Sequence, residues 1–266
     1  MDLEARDDKR VSESRLLVDA HAHLDRYESR VSKAIDQIDR HRILTVAVAM
    51  DVESYLRTKA LAAHCDHIRP MFGIHPWEAP RYSDSLATLD EYLSETPMIG
   101  EAGLDFHFVE DTSLYEAQMT VFDYECRWAA RLGKPMNLHT KGAEREVLDM
   151  LKTHEVKDCI VHWYSGPHDL LDDYLSLGCY FTVGVEVLRS KAIERIAMAI
   201  PAERLLIETD NPGGYAWLFG SPGMPVVLLD VLAKVADLRR TEVDELKRRV
   251  SENWRRLERQ MADAAS

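Results

Sequence analysis

The chain has little that would place it in a membrane or in an oxidising compartment. No apolar run within its 266 residues approaches the roughly 20 residues that a transmembrane helix needs. The four cysteines, Cys65, Cys126, Cys159 and Cys179, show no paired spacing, which predicts a reduced, cytoplasmic protein. Residues 1–14 are charged and contain no apolar signal core, so we expect them to form a disordered or frayed tail.

Basic residues are also scarce relative to acidic ones. The chain has 33 Lys and Arg against 46 Asp and Glu, and its formal net charge is −13. This balance argues against non-specific binding of nucleic acid over an extended surface, because such binding needs an excess of positive charge. It leaves room for a nucleic-acid substrate at one local site, where metal ions and a few basic side chains reverse the potential.

The hydrophobic pattern predicts an α/β fold, specifically a (β/α)₈ TIM barrel. We see no shift in composition and no low-complexity segment, so residues 15–262 are interpreted as one domain. The predicted strands are Leu16–Ala20, Leu44–Ala49, Ile68–Ile74, Met98–Leu104, Pro135–His139, Cys159–His162, Cys179–Val185 and Arg204–Glu208. Amphipathic helical segments separate these runs, and Val226–Met261 reads as two further helices broken near Arg240. The length is close to the roughly 250 residues typical of this barrel.

Several predicted strands end in a residue that can bind a metal. These residues are His21, His23, Glu101, His139, His162 and Asp210. In a parallel barrel the carboxyl ends of the strands meet at one mouth, so these side chains should converge there. Each has an ordinary alternative when taken alone, such as a surface Glu or an Asp that caps the Asn-Pro turn. The coincidence of all of them at strand ends favours a metal site and hydrolysis by metal-activated water.

The order and spacing of these motifs resemble those of the TatD family of metal-dependent hydrolases. The matching segments are Asp19–Asp25, Gly100–Asp105, His139–Lys141, His162–Gly166 and Leu206–Pro212, with Gln118, Phe122 and Asn253 in addition. The resemblance extends from about Leu16 to Leu257. It implies an amidohydrolase-like TIM barrel that uses a pair of divalent ions to hydrolyse phosphodiester or related bonds. Several members of the family are DNases that remove nucleotides from the 3′ end.

The resemblance also implies a role for each ligand. His21 and His23 should hold the first ion, His139 and His162 the second, and Glu101 should bridge the two. Such a donor set suits Zn²⁺ or Mn²⁺ and suits Mg²⁺ less well, because Mg²⁺ prefers oxygen ligands. The cofactors are therefore expected to be two divalent ions, Zn²⁺, Mn²⁺ or Mg²⁺.

Asp210 and Glu101 are the expected catalytic residues. By resemblance, Asp210 should bind the first ion and also accept the proton of the attacking water. The leading functional hypothesis is thus a phosphodiesterase or deoxyribonuclease of the 3′–5′ exonuclease type, with nucleic-acid ends as the substrate.

Four further residues are predicted to contact the substrate: His75, Lys141, Trp217 and Tyr215. Members of the family often have Arg where this chain has Lys141, and Lys provides a point charge without the bidentate geometry of Arg. DNase members also carry a basic stretch that corresponds to residues 211–225, whereas this segment has no Lys or Arg. Its aromatic side chains could stack on bases, line an apolar pocket, or pack against the last helices.

Two other functions remain open at this stage. One is hydrolysis of a small-molecule or aminoacyl-tRNA ester under an uncharged aromatic lid. The other is a non-catalytic barrel subunit of a larger assembly, such as an anti-phage defence system. A smaller cluster, formed by His64, Cys65 and His67, is interpreted as a solvated helix end because no other ligand spacing supports a second metal site.

Overall fold

The computed structural model describes residues 16–264, and the predicted tail at residues 1–14 lies outside them. Within this range eight short parallel strands form the wall of a barrel. They are β1 (Leu17–Ala22), β2 (Ile43–Val48), β3 (Ile68–Met71), β4 (Ile99–Gly103), β5 (Met136–His139), β6 (Ile160–Val161), β7 (Tyr180–Val183) and β8 (Leu205–Ile207). The α/β TIM-barrel fold predicted from the sequence is therefore confirmed.

Helices connect successive strands and pack around the barrel. They are α1 (Val31–His41), α2 (Val52–Ala62), α3 (Asp90–Glu95), α4 (Tyr115–Leu132), α5 (Glu144–Thr153), α6 (His168–Ser176), α7 (Lys191–Ala199), α8 (Gly213–Phe219), α9 (Val227–Arg239) and α10 (Val243–Ala264). Short 3₁₀ turns extend several of these connections. No helix of the described residues is long and apolar enough to cross a membrane.

Hydrogen bonds between neighbouring strands close the barrel. The strands pair in the orders β1-β2-β3 and β4-β5-β6-β7-β8, and Phe72 forms a parallel bridge with Ile99 between the two groups. On the other side, the Asp210 amide donates to the His21 carbonyl at 2.9 Å. The His23 amide donates to the Asn211 carbonyl at the same distance. The carboxyl ends of β1 and β8 are therefore adjacent, which brings the first and last predicted motifs together.

The strands are buried on both faces because the helices cover the outside of the barrel and side chains fill the inside. All six residues of β1 and of β2 are buried. This explains why the sequence showed short apolar runs rather than alternating polar and apolar residues. Polar side chains interrupt these runs at the carboxyl ends, where they line the mouth of the barrel.

The predicted strands all exist, with ends that differ by up to three residues from those observed. Two helices were not predicted. The first, α1, lies between β1 and β2. The second, α8, lies in residues 211–225, where the sequence indicated no helix. The reason is that Gly213 and Gly214 at its start have low helix propensity and the helix has only seven residues. Gly220, with φ of 75°, ends α8 in the left-handed conformation.

Candidate metal-dependent active site

Glu101 lies at the centre of a histidine cluster at the mouth of the barrel. Glu101 lies within β4, and its side chain is almost completely buried. Its Oε2 atom lies 3.4 Å from His21 Nε2 and 3.2 Å from His23 Nε2. Its Oε1 atom lies 2.8 Å from His139 Nδ1 and 3.0 Å from His162 Nε2. Each carboxylate oxygen thus faces one histidine pair, the arrangement that a carboxylate bridging two ions requires.

Asp210 completes the group on the Oε2 side of Glu101. Its Oδ1 atom lies 3.3 Å from His23 Nε2 and 3.7 Å from His21 Nε2. Bonds from Zn²⁺ of about 2.0–2.2 Å place tetrahedral neighbours roughly 3.3–3.5 Å apart. The observed distances among these four donors are close to that range. Asp210 is also in the left-handed region, with φ of 49°, a conformation that non-glycine residues adopt rarely and often at functional sites.

In three of the histidines the outer ring nitrogen, the one that does not face Glu101, contacts another polar side chain that can orient the ring. His21 Nδ1 is 2.9 Å from Asn137 Oδ1 and His139 Nε2 is 3.0 Å from Asp105 Oδ2. His162 Nδ1 is 3.5 Å from Glu208 Oε1. Proteins commonly use such partners to hold the N–H on the outer nitrogen of a metal-binding histidine, so that the inner nitrogen is free to bind.

These orienting residues were not predicted as part of the site. The Asp105 and Glu208 carboxylates lie within the segments that carried the family resemblance, but the sequence did not assign them a partner. The Asn137 side chain could have been found from strand geometry, since residues 137 and 139 on β5 point to the same face. The Asp19 carboxylate, two residues before His21, accepts from the Thr209 hydroxyl at 2.7 Å and the Thr209 amide at 2.9 Å, and it lies 3.5 Å from the His21 backbone amide.

The electrostatics of the cluster favour bound positive charge. Burial on its own lowers the pKa of His23, but hydrogen bonds with Asp210 and Glu101 raise it to about 10. Burial likewise lowers the pKa of His162, but Glu208 and Glu101 raise it to about 10. Burial raises the pKa of Glu101, yet the surrounding imidazoles hold it well below its usual value. Buried carboxylates of this kind need cations near them, whether imidazolium or metal.

Several buried polar atoms in the cluster make no hydrogen bond among the described residues. They include His21 Nε2, Glu101 Oε2 and both carboxylate oxygens of Glu208. Leaving a buried polar atom without a partner typically costs about 1–3 kcal/mol. A divalent ion between the Nε2 and Oε2 atoms would satisfy both of the first two. The residues of the mouth therefore fit the ions that the sequence predicted.

His75 lies against the same carboxylate but differs from the other histidines. Its Nε2 atom is 3.5 Å from Glu101 Oε1, and its Nδ1 atom accepts a hydrogen bond from the Trp77 amide at 3.2 Å. Burial lowers the pKa of His75 to about 4, so the ring is neutral. A neutral imidazole that accepts at Nδ1 carries its proton at Nε2. His75 is therefore a hydrogen-bond donor at the mouth, and it also lies with Glu101 and His139 in a group whose ligand atoms are within 4.8 Å of one another. Its contact with substrate stays a prediction.

Lys141 follows β5 and faces the β6 connection. Its Nζ atom donates to the Trp163 carbonyl at 2.6 Å and to Ser165 Oγ at 2.9 Å. Burial lowers the pKa of Lys141, although nearby carboxylates, Glu186 foremost, oppose that effect. The ammonium is therefore already engaged by the protein, and two of its three donor positions are in use.

A row of aromatic rings, three of four exposed, forms one side of the mouth. Trp217 on α8 meets Trp163 at 6.0 Å between ring centroids and Phe108 at 6.5 Å, both edge to face. Phe108 in turn meets Trp77 at 6.4 Å, and Trp77 meets His75 at 4.8 Å. We call Trp77, Phe108, Trp217 and Trp163 the aromatic arc. Trp217 is 64% exposed, so its ring offers a free face beside the histidine cluster.

Tyr215 is not part of the aromatic arc. Residues 215 and 217 are two positions apart on α8, and about 200° of rotation places them on opposite sides of a helix. The Tyr215 ring stacks on Phe219 with centroids 4.3 Å apart and is half-buried against the core. Of the two aromatic contacts predicted on this segment, the structure brings only Trp217 to the mouth.

The start of α8 packs directly on Asp210, the candidate proton acceptor. The Gly214 amide donates to the Asp210 carbonyl at 2.6 Å. A Cβ at Gly214 would lie 2.7 Å from the Trp163 ring and 3.1 Å from Asp210 Cβ. Only glycine allows this approach, so α8 connects the aromatic arc to the Asp210 side chain.

Comparison with known proteins identifies the family. A family model described as TatD related DNase matches residues 18–259. The chain belongs to this family. The cluster described above is therefore the candidate metal site of a TatD-family metal-dependent hydrolase.

The relatives cover nearly the whole TatD-family barrel. The uncharacterized metal-dependent hydrolase YcfH of Escherichia coli K12 is 29% identical over 259 residues, which cover 91% of this chain and 95% of YcfH. The 3′-5′ ssDNA/RNA exonuclease TatD of Erwinia amylovora is 29% identical over 225 residues, 77% of this chain and 84% of that protein. The crystal structure of YJJV, a TatD homolog from Escherichia coli K12, superposes with a TM-score of 0.82 at 25% identity and covers 91% of this chain.

Proposed function

We propose that this TatD-family hydrolase is a phosphodiesterase that removes nucleotides from single-stranded ends of nucleic acid, using two divalent ions. The observation that carries the substrate assignment is the aromatic arc beside the ligand cluster. An exposed indole on a segment without Lys or Arg suits an unstacked base, since base–aromatic stacking contributes roughly 1–3 kcal/mol per base. Relatives named as 3′-5′ ssDNA/RNA exonucleases support the same assignment.

We assign one ion to His21, His23 and Asp210 and the other to His139 and His162, with Glu101 between them. Ions held by these residues would supply a nucleophile at neutral pH and would stabilise negative charge on the reacting oxygens. The protein keeps this donor set rigid, because each ligand lies within or shortly after a buried strand and the His21 and His139 imidazoles have hydrogen-bonded partners.

Asp210 is the proton acceptor in this proposal. Its side chain is 22% exposed, whereas the Glu101 side chain is only 2% exposed, so Asp210 reaches the solvent side of the mouth. Burial raises the pKa of Asp210, but the hydrogen bond with His23 and the charge of the nearby imidazoles lower it below its usual value. An ionised carboxylate at the mouth is competent to take a proton from water at neutral pH.

His75 and Lys141 have different parts in substrate binding. The His75 Nε2–H points toward the cluster and can donate to a substrate oxygen. The Lys141 ammonium is held by Trp163 and Ser165, so one N–H remains for a phosphate. With no Lys or Arg in residues 211–225, the salt dependence of binding should correspond to only about one or two phosphate contacts.

The engaged Lys141 also favours a second candidate function. An aromatic rim whose Lys141 is already hydrogen-bonded by the protein suits a small-molecule or aminoacyl-tRNA ester as well as a phosphodiester. The two functions differ in their products and in their dependence on chain ends. A non-catalytic role as a subunit of a larger assembly is a weaker proposal, because the complete donor set of the site is retained.

One substrate screen separates these functions. The metal-reconstituted protein is incubated with single-stranded DNA and RNA labelled at either end, intact duplex, D-aminoacyl-tRNA and small esters. We expect stepwise loss of nucleotides from 3′ ends of single strands and little cleavage within duplexes. Ester hydrolysis without nuclease activity would contradict the proposal, and so would rapid internal nicking of duplex or a steep salt dependence.

Substitution of the arc tests the stacking argument directly. Trp217→Ala removes the exposed indole, so KM for single-stranded DNA should rise about 5- to 100-fold with metal content unchanged. Phe219→Ala is the matched control, because Phe219 lies on the same helix but stacks on Tyr215, away from the arc. Equal effects of the two substitutions would show that loss of α8 packing, rather than loss of stacking, is responsible.

A further inference from the structure

A second group of metal-binding side chains lies at the opposite end of the barrel. Cys65 and His67 belong to the connection between α2 and β3, at the amino end of β3. Asp39 lies on α1, near its carboxyl end. One ligand atom from each of the three residues lies within 4.8 Å of the others. The catalytic mouth is at the carboxyl ends of the strands, so this group is separate from it.

One of the distances matches that between two ligands of one ion, and the other is slightly longer. His67 Nδ1 is 3.4 Å from Asp39 Oδ1 and 3.9 Å from Cys65 Sγ. Bonds from Zn²⁺ of about 2.0–2.2 Å to N or O and about 2.3 Å to S place tetrahedral neighbours roughly 3.3–3.6 Å apart. A small movement of the thiol would close the group around an ion, with the fourth position left to water.

Burial distinguishes this group from an ordinary surface ion pair. The sequence led us to interpret this region as a solvated helix end, but Cys65 is only 6% exposed and packs with Ile38, Ala47 and Ile68. Asp39 is exposed and comes from a helix that was not predicted, which is why the spacing of residues 64–67 showed no third ligand. The group therefore combines a fixed thiol, a half-buried imidazole and a carboxylate open to water.

The charges around the thiol favour a cation. The Asp39 and Asp66 carboxylates place negative charge beside the Cys65 thiol. Arg69 is the nearby positive charge that opposes them, and its guanidinium is engaged with the Asp66 and Ile68 carbonyls. A divalent ion would replace the thiol proton and neutralise the carboxylate at the same time.

We propose that Asp39, Cys65 and His67 form a second cation site, for Zn²⁺ or a similar thiol-binding divalent ion. Thiolate and imidazole donors select such ions over Mg²⁺ and Ca²⁺. The site joins α1 to the start of β3, and its occupancy should fix those two elements relative to each other. Its function is structural, because the mouth that holds the hydrolytic residues lies at the other end of the barrel.

Cobalt absorption tests the proposal on the full-length protein under reducing conditions. Co²⁺ is titrated in, and sulfur-to-cobalt charge transfer is followed in the near ultraviolet. The catalytic cluster offers only nitrogen and oxygen donors, so it contributes nothing to this band. We expect a saturable band in the wild type, its loss in Cys65→Ser, and at least tenfold weaker Co²⁺ binding in Asp39→Asn.

The control is Asp36→Asn, an exposed carboxylate on the same helix that is outside the group. It should bind Co²⁺ as the wild type does. If Cys65→Ser fails to fold, His67→Ala provides the second variant, and the same loss of affinity is expected. Absence of the band in the wild type would overturn the proposal. It would equally be overturned by persistence of the band in Cys65→Ser, or by equal affinities of the Asp39→Asn and Asp36→Asn variants.

Discussion

At the scale of single residues, Asp210 is the side chain with the clearest expected effect on rate. Asp210→Asn keeps the shape but removes the proton acceptor and a negative charge. Loss of a positioned general base typically lowers the rate by about 10²–10⁴-fold. We expect kcat to fall by that amount, with circular dichroism and urea unfolding close to those of the wild type.

Metal content distinguishes the two roles of Asp210. If the Asn variant retains both ions and loses kcat, then the side chain acts as the base. If it loses one ion in proportion to its activity, then the ligand role dominates. A kcat near the wild-type value on the identified substrate would refute both assignments.

Glu125 on α4 gives a residue-scale prediction about pH. Its Oε1 atom accepts from the Ile74 amide at 2.7 Å, and its Oε2 atom has no hydrogen-bond partner among the described residues. Burial raises the pKa of Glu125 well above its usual value of 4.5. A raised folded-state pKa means that the stability contribution is full below about pH 4.5 and is lost as pH rises toward the folded-state value.

Glu125→Gln resembles the protonated side chain and removes this dependence. The wild type should therefore lose stability relative to the Gln variant as pH rises from about 5 to about 8. Urea unfolding of both proteins over that range measures the difference. A constant difference between the two curves would mean that Glu125 is ionised in the folded protein.

At the scale of elements, α8 is the helix whose position matters most for the site. Gly214→Ala would bring Cβ to 2.7 Å from the Trp163 ring and 2.8 Å from the Thr209 carbonyl. Overpacking of this kind costs about 1–3 kcal/mol, and here it also displaces Asp210. We expect lower stability and lower kcat, measured by urea unfolding and turnover.

Gly213→Ala is the matched control within α8. A Cβ at this position meets nothing within 4 Å. Ala has a higher helix propensity than Gly by about 1 kcal/mol, so this variant should be as stable as the wild type or slightly more stable. If Gly213→Ala lowers kcat as much as Gly214→Ala does, contact with Asp210 is not the cause.

At the scale of the whole molecule, the proposed ions join strands from across the barrel. Their ligands lie within or shortly after β1, β4, β5, β6 and β8, so bound metal should stabilise the closed barrel against unfolding. An ion present at 100 times its Kd adds about 2.7 kcal/mol. Removal by a chelator should therefore lower Tm by roughly 5–10 °C for a domain of this size.

Glu101→Gln provides the control for that measurement. It removes the charge of the proposed bridge, and its Tm should respond little to chelator or to added metal. A wild-type Tm that is independent of chelator would argue against ions at the mouth. A chelator effect that persists in full in Glu101→Gln would place the stabilising ion elsewhere, for example at Cys65.

The sequence by itself determined the barrel and indicated the candidate metal ligands at its mouth. Eight apolar runs predicted eight buried strands, because burial on both faces leaves a continuous local signal. The ligands could be found since a parallel barrel brings the carboxyl ends of its strands together, whatever their separation along the chain. His21 and Asp210 are far apart in the sequence, and this rule alone placed them side by side.

Only the tertiary structure decided how these residues are used. Each carboxylate oxygen of Glu101 lies beside a different pair of histidines, and the Asp105 carboxylate contacts the outer ring nitrogen of His139. Trp217 reaches the mouth while its neighbour Tyr215 faces away. The physical reason is that periodicity reports which face of an element is buried. The partner of each polar atom depends on contacts between distant segments, and those exist only once the barrel has closed.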